Sequence, residues 1–187
     1  MSRTRIPLAL VLILAVGAIA VVPLTAAIKA LNLEELMSIS SGVVYGEIVK
    51  KDVLRFDWAD MQNVTHTKLT IEGEELTTGQ KVTRELYYMG GSVEGQLDSP
   101  CTAPKEHQTR VGAKVVAFYW FDETLISGGA NKIFCFANLN QVLKGSGDPT
   151  VIGLGEGAAI SHNIKLSSLR TEVQRIHQKL QKDSQNR

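Results

Sequence analysis

The chain has little of what catalytic centres are usually built from. Its four histidines, His66, His107, His162 and His177, form no H-x-H or H-x-x-x-H pair, so spacing offers no metal site. No G-x-S-x-G marks a nucleophilic serine. The acidic pairs Glu34-Glu35 and Glu74-Glu75 are sequence neighbours that point to different sides of a helix or strand, and so do not make acid–base couples. Gly90-Gly91-Ser92-Val93-Glu94-Gly95 has neither the spacing nor the following helix of a phosphate-cradling loop, and reads as glycines turning the chain out of a strand. Charge of one sign is also missing. A net charge of +1 gives no general attraction to nucleic acid, and no nucleic-acid partner is expected. There are only two cysteines and no C-x-x-C, which argues against structural zinc and thioredoxin-type chemistry. No catalytic, metal or cofactor residue is assigned. His107, with Asp98 and Glu106 nearby, is the one cluster a hydrolase would use, and a loop histidine among polar neighbours reads more simply as solvated.

What the chain does have is a hydrophobic start. Arg3 and Arg5 precede residues 6–28, a run without a charged residue that ends near Leu24-Thr25-Ala26-Ala27. This is the layout of a secretory signal cleaved after Ala27, with a mature start near Ile28; Ala18 and Ala20 offer an earlier site. The alternative is an uncleaved anchor, because at ~1.5 Å per residue the run covers a bilayer core of ~30 Å. In both readings the arginines stay inside and everything after Lys29 is exported, periplasmic or extracellular, tethered by residues 6–28 if the run is retained. An oxidising compartment favours a disulfide between Cys101 and Cys135. It would close a loop of about 34 residues and contribute roughly 3 to 4 kcal/mol through chain entropy. Two buried free thiols are the alternative.

The rest of the chain reads mainly as strands. Asn32-Leu33-Glu34-Glu35 opens a short helix to about Ser38, Asn32 capping it and Glu35 reaching back. A first strand is expected over 42–50, with Gly46 at a bulge or tight bend, then a connection over 51–62 that folds Phe56 and Trp58 back on the barrel. Residues 64–76 and 81–89 alternate and pair through the turn Thr77-Thr78-Gly79-Gln80. The run 111–121 is the central strand, 133–137 returns beside it, and 150–160 holds a short edge strand. From Ser167, Leu169, Val173, Ile176 and Leu180 share one helical face, with Ser167 or Ser168 as cap and fraying after Asp183. The basic residues of that helix read either as contact with anionic lipid or an acidic partner, or as the solvated side of a helix docked on the barrel. The narrow stripe without aromatics favours docking. The chain thus divides into residues 1–27, signal or anchor; 28–166, a β-barrel domain with a short N-terminal helix; and 167–187, a helix and tail.

Four stretches carry a resemblance: Val44-Tyr45-Gly46-Glu47-Ile48; Thr67-Lys68-Leu69-Thr70-Ile71 and on to Gly79; the glycine turn at 90–95; and Val111-Gly112-Ala113-Lys114-Val115-Val116-Ala117-Phe118. They resemble the V-x-G-E-V, T-x-V-x-x-V-E-x-L-K-G, G-G-x-V-x-G and V-G-E-x-V-x-x-F-L motifs of a loosely defined group of exported bacterial proteins of unknown function. The likeness spans most of residues 32–160 and departs at Ala113, where the group has Glu, and at 76–79, where Leu-Lys-Gly is stretched to Leu-Thr-Thr-Gly. It implies a five-stranded, OB-like barrel, similar in outline to the inhibitory domain of tissue metalloproteinase inhibitors and to netrin-like modules. The N-terminal cysteine those inhibitors set on a target's metal has no counterpart near Ile28. The expected fold class is therefore mainly β with flanking helices: a small OB-like antiparallel β-barrel plus a C-terminal amphipathic helix. The expected function is non-catalytic binding of a protein, peptide or glycan without a cofactor, over a surface that includes Trp58, Tyr87, Tyr88 and His107. Trp120 and Phe121 are further groove candidates that core packing explains equally well. The alternatives are a membrane-anchored assembly component whose basic C-terminal helix docks a partner, and an envelope hydrolase at His107.

Overall fold

Alternation of apolar and polar residues makes the strands, and in the computed structural model the strands close on themselves. The structure describes residues 31–58, 61–93, 96–98, 103–140, 147–156 and 158–186. The strands are β1 (Gly42–Trp58), β2 (Met61–Glu75), β3 (Lys81–Met89), β4 (Gly91–Val93), β5 (Gln96–Asp98), β6 (Lys114–Asp122), β7 (Ala130–Asn140), β8 (Thr150–Val151) and β9 (Ile164–Lys165). Helix α1 (Leu33–Ile39) precedes them, α2 (Leu166–Gln185) follows, and a 3-10 turn covers Glu106–Gln108. Strands β3-β2-β1-β6-β7 are antiparallel neighbours, and β3 meets β7 in parallel at Leu86–Asn131 and Tyr87–Lys132, which closes the ring. A meander β1-β2-β3 in which β1 also pairs with β6 and β3 also touches β7 is an OB-like barrel, as expected.

The alternation places Val44, Ile48, Leu69, Ile71 and Leu86 inside the barrel with Val115, Ala117 and Phe136. A second apolar layer lies outside it. There Val43, Val116, Phe118 and Ala137 meet Leu36 of α1 and Leu169, Val173 and Ile176 of α2. Helix α1 starts as its sequence dictates: Asn32 Oδ1 accepts the Glu35 N–H at 2.9 Å, and the Glu35 carboxylate accepts the Asn32 N–H at 3.1 Å. Helix α2 starts differently from the expectation. Its first residue is Leu166, and the carboxylate of the distant Asp148 accepts the N–H and hydroxyl of Ser167, so the cap comes from the loop before β8. Three basic residues of α2 are paired: Arg170 with Glu74 of β2, Arg175 with Glu172, and Lys179 with Glu34 of α1. The helix is docked on the barrel side, the simpler of the two readings of its charge.

Two further expectations change. The chain after Lys50 is not a connection: β1 runs on to Trp58, paired with β2 from Lys51–Leu69 to Trp58–Met61. A register shift between Ile48 and Lys50 bends the strand, and beyond it β1 and β2 form an arm that β3 accompanies only as far as His66–Met89; no β1 side chain of this stretch is fully buried, while β2 buries Thr65, His66 and Thr67. Such an arm has no apolar alternation to read in sequence. The second change concerns the disulfide. Cys135 is a free thiol, so the expected bridge is not formed, and Cys101 lies outside the described residues. Cys135 packs against the outer apolar layer, and burial pushes its pKa up to about 11. Its thiolate is then scarce at pH 7, about one part in ten thousand. The N-terminal run 6–28, with its choice between signal and anchor, also lies outside the described residues. Among the described residues no helix is long and apolar enough to cross a membrane.

Candidate binding face

The β1–β2 arm reaches the end of the barrel where β3 and β7 meet, and there it brings together side chains that are far apart in sequence. Lys132 of β7 sets its ammonium 3.6 Å from the centre of the Trp58 ring and 5.7 Å from that of Trp120, across the ladder on β6. Trp120 leans on Phe134 at 4.8 Å. Phe134 is the extra residue where the β6–β7 register shifts, and that bulge leaves it 38% exposed. Below Trp58, His66 stacks on Phe56 at 4.3 Å and meets the edge of Trp58 at 5.7 Å, while Phe56 also meets Tyr87 edge-on. Leu125 and Ala130, buried at the two ends of the β6–β7 loop, form the floor with Tyr87.

The loop also fixes the indoles. Trp58 Nε1 donates to Thr124 Oγ1 at 3.2 Å, and Thr124 in turn donates from both its backbone and its hydroxyl to Asp122. Burial alone would raise the Asp122 carboxyl. The Thr124 hydrogen bonds, the Lys132 charge and the Trp120 indole together hold it below its ordinary value. Burial lowers the Lys132 ammonium, against the pull of Asp122 at 3.9 Å. A cation against two aromatic faces gains about 0.5 to 2 kcal/mol, which offsets part of that burial. Its N–H groups have no hydrogen-bond acceptor among the described residues.

His66 has no exposed surface. One nitrogen, Nδ1, lies 3.2 Å from the Val64 carbonyl, and Nε2 has no partner among the described residues. Burial, and then the nearby Lys132 charge, lower its pKa against the Val64 hydrogen bond, so the imidazole is neutral at pH 7. The unfolded chain therefore takes a proton on this histidine before the folded one does. Stability is at its full value above the ordinary value of 6.5 and falls as pH drops below it, by up to about 1.4 kcal/mol per pH unit until the folded-state pKa is reached. Urea melts of the wild type should therefore show a loss between pH 7 and pH 5 that His66→Phe, which keeps the stack and cannot titrate, does not share. Parallel profiles for the two proteins would contradict it.

Of the four residues picked from sequence, the fold brings two together. Trp58 and Tyr87 meet through Phe56 and His66. Tyr88 points into the barrel, where its hydroxyl donates to Thr109 Oγ1 at 3.3 Å. His107 stands on the exposed 3-10 turn, lining a separate groove with Arg110 and Lys114. Phe56 folds back on the barrel with Trp58, as expected; His66, Lys132 and Phe134 had no sequence signal of their own, because only the parallel β3–β7 contact and the β7 bulge put them beside Trp58. No group of three or more metal-ligating side chains occurs among the described residues. No protein-family model, curated protein or solved structure matches the chain.

Proposed function

We propose that this is an exported, non-catalytic barrel of the cell envelope that binds a protein, peptide or glycan over the face formed by Trp58, Trp120, Lys132 and Phe134. One observation carries the reading. Two indoles flank one cation at the end of a closed barrel, the Trp58 indole fixed by its hydrogen bond to Thr124 of the β6–β7 loop, with Phe134 partly exposed beside Trp120. Aromatic faces fixed in advance bind with little further ordering cost, and the Lys132 ammonium, held only by a long ion pair with Asp122 among the described residues, supplies polar specificity. Arg3, Arg5 and the apolar run 6–28 support the reading of export, as does the resemblance of the four stretches to motifs of exported OB-like proteins.

The experiment uses a convenient property of the sequence: its two tryptophans are both in this face, so intrinsic fluorescence reports on the site alone. Peptide and glycan arrays probed with the full-length chain should yield binders that shift tryptophan emission. Trp120→Ala should weaken them at least tenfold, and Trp120→Phe, which keeps an aromatic face on Phe134 and Lys132, should weaken them less while leaving the melting curve close to wild type. Binders that ignore Trp120→Ala would place recognition elsewhere. Fractionation with N-terminal sequencing of the native protein tests export separately, and a full-length cytosolic product would overturn that part.

A further inference from the structure

Among the described residues, strand β7 carries a gap in its pairing on the side away from β6. Strand β3 accompanies it only at Asn131 and Lys132, and β8 joins it only at Leu139 and Asn140, with one further bond from the Ile152 N–H to the Asn138 carbonyl. Between these, residues 133–137 have no ladder partner on that side among the described residues. A groove of about 410 Å³ runs along the gap, walled by Met89, Ala103, Pro104, Ile133, Phe134 and Leu154, with Lys132 at one end. Phe134 and Leu154 are 38% and 43% exposed. A second groove, of about 450 Å³, shares Gln108 and Leu154 with the first, and its lining includes Arg110 and Lys114 beside His107. No carboxylate among the described residues lines either groove. In a chain whose charges nearly cancel, Arg110 and Lys114 line the neighbouring groove, and Lys132, paired with Asp122 at 3.9 Å, stands at the end of this one.

An unpaired edge between apolar walls is a template for another strand, and its charge selects what that strand carries. We propose that residues 133–137 of β7 are a strand-addition site for an extended acidic peptide of a partner protein. The peptide pairs its backbone with β7, lays alternate side chains against Met89, Pro104 and Leu154, and sets a carboxylate on the Lys132 ammonium. From Lys132 to Asn138 the edge is about 20 Å long at ~3.3 Å per residue, the reach of an ordinary short strand. The assignment rests on the reading of the Lys132 face as a ligand site and goes on to name the ligand. An extended peptide is favoured over an acidic glycan because the gap offers main-chain donors and acceptors in strand register, which a sugar chain cannot match.

The test is selection of a random decapeptide library on the full-length chain, followed by tryptophan fluorescence and amide hydrogen exchange on the enriched peptides. Enriched sequences should carry Asp or Glu, and binding should slow exchange at residues 133–137 at least tenfold. N-methylation of alternate peptide residues should abolish binding in one phase and spare it in the other, a result that needs no change to the protein. Lys132→Met should weaken binding at least tenfold, and Lys132→Glu should turn the selection toward Lys- and Arg-bearing peptides. Failure to enrich any peptide, protection elsewhere, or indifference to N-methylation would overturn the assignment. A uronic-acid oligosaccharide serves as the contrasting probe. If it alone shifts the emission in a Trp120-dependent way, the face still binds a ligand and the peptide assignment falls; if neither probe moves it, both fall.

Discussion

Glu75→Ala is expected to lower the free energy of unfolding by about 3 to 5 kcal/mol, because it removes the charged centre of a buried network and leaves its partners in place. Glu75 ends β2 with 5% of its surface exposed. One carboxylate oxygen accepts the Val43 N–H at the start of β1 at 2.6 Å. The other accepts the Tyr119 hydroxyl of β6 at 2.6 Å and faces Arg84 of β3 at 3.4 Å. A single side chain thus ties four of the five barrel strands at one end. Burial first, and then the Glu75 carboxylate, push the Tyr119 phenol far above its ordinary value, so it stays a donor throughout the usable pH range. Without Glu75 an amide, a phenol and a guanidinium lose their acceptor where water is scarce. Glu75→Gln keeps an acceptor for Val43 and should cost distinctly less, and Tyr119→Phe about 1.5 to 3 kcal/mol. Denaturant melts of the three variants and of the Glu75→Ala/Tyr119→Phe double variant measure the coupling. A Glu75→Ala loss below about 1 kcal/mol would show that the network does not hold the strands.

How much of this was legible in sequence depends on how far each feature reaches. The alternation of β3 was legible, with Val82, Arg84, Leu86 and Tyr88 on one side against Thr83, Glu85 and Tyr87, but which side faces inward was not: Tyr88, expected on the binding surface, lies in the barrel core with Leu86. The cap of α1 was legible too, since Asn32 and Glu35 satisfy it within three residues. The cap of α2 was not, because Asp148 is brought to Ser167 by the β8–β9 pairing. The β1–β2 arm escaped notice because Lys-Asp-Val-Leu-Arg-Phe-Asp-Trp has no buried side to impose a period; it is a strand only because β2 lies beside it. Trp58 and Tyr87 could be picked as aromatics outside the apolar runs. Lys132 and His66 gain their character only when the ring closes and water is removed from around them. The binding face is assembled by barrel closure, and closure is the part of an OB-like fold that local sequence carries least.

Gly73→Ala should do more damage than any other single-atom addition to the chain: loss of folding, or at least about 4 kcal/mol, the extreme of the range for point substitutions. Gly46 and Gly73 face each other in the β1–β2 ladder, at the point where the barrel bends before the arm departs. A Cβ on Gly73 would lie 2.0 Å from the Tyr45 carbonyl oxygen and 2.5 Å from the Gly46 Cα, and one on Gly46 would lie 2.3 Å from the Glu72 carbonyl oxygen. All of these are backbone atoms of the paired strand, so no side chain can swing aside to make room, and the two strands would have to separate. The contrast is Gly112, whose φ of +87° strains an alanine but whose Cβ would meet nothing within 4 Å; Gly112→Ala should cost only about 1 to 2 kcal/mol. Thermal melts read both. Tryptophan emission adds a functional readout, because the same bend aims the arm that carries Phe56 and Trp58 toward Lys132. Where Gly46→Ala still folds, its tryptophan emission should shift to the red as Trp58 leaves the cation. Unchanged emission in a folded Gly46→Ala variant would mean that the glycine pair shapes the barrel without setting the arm.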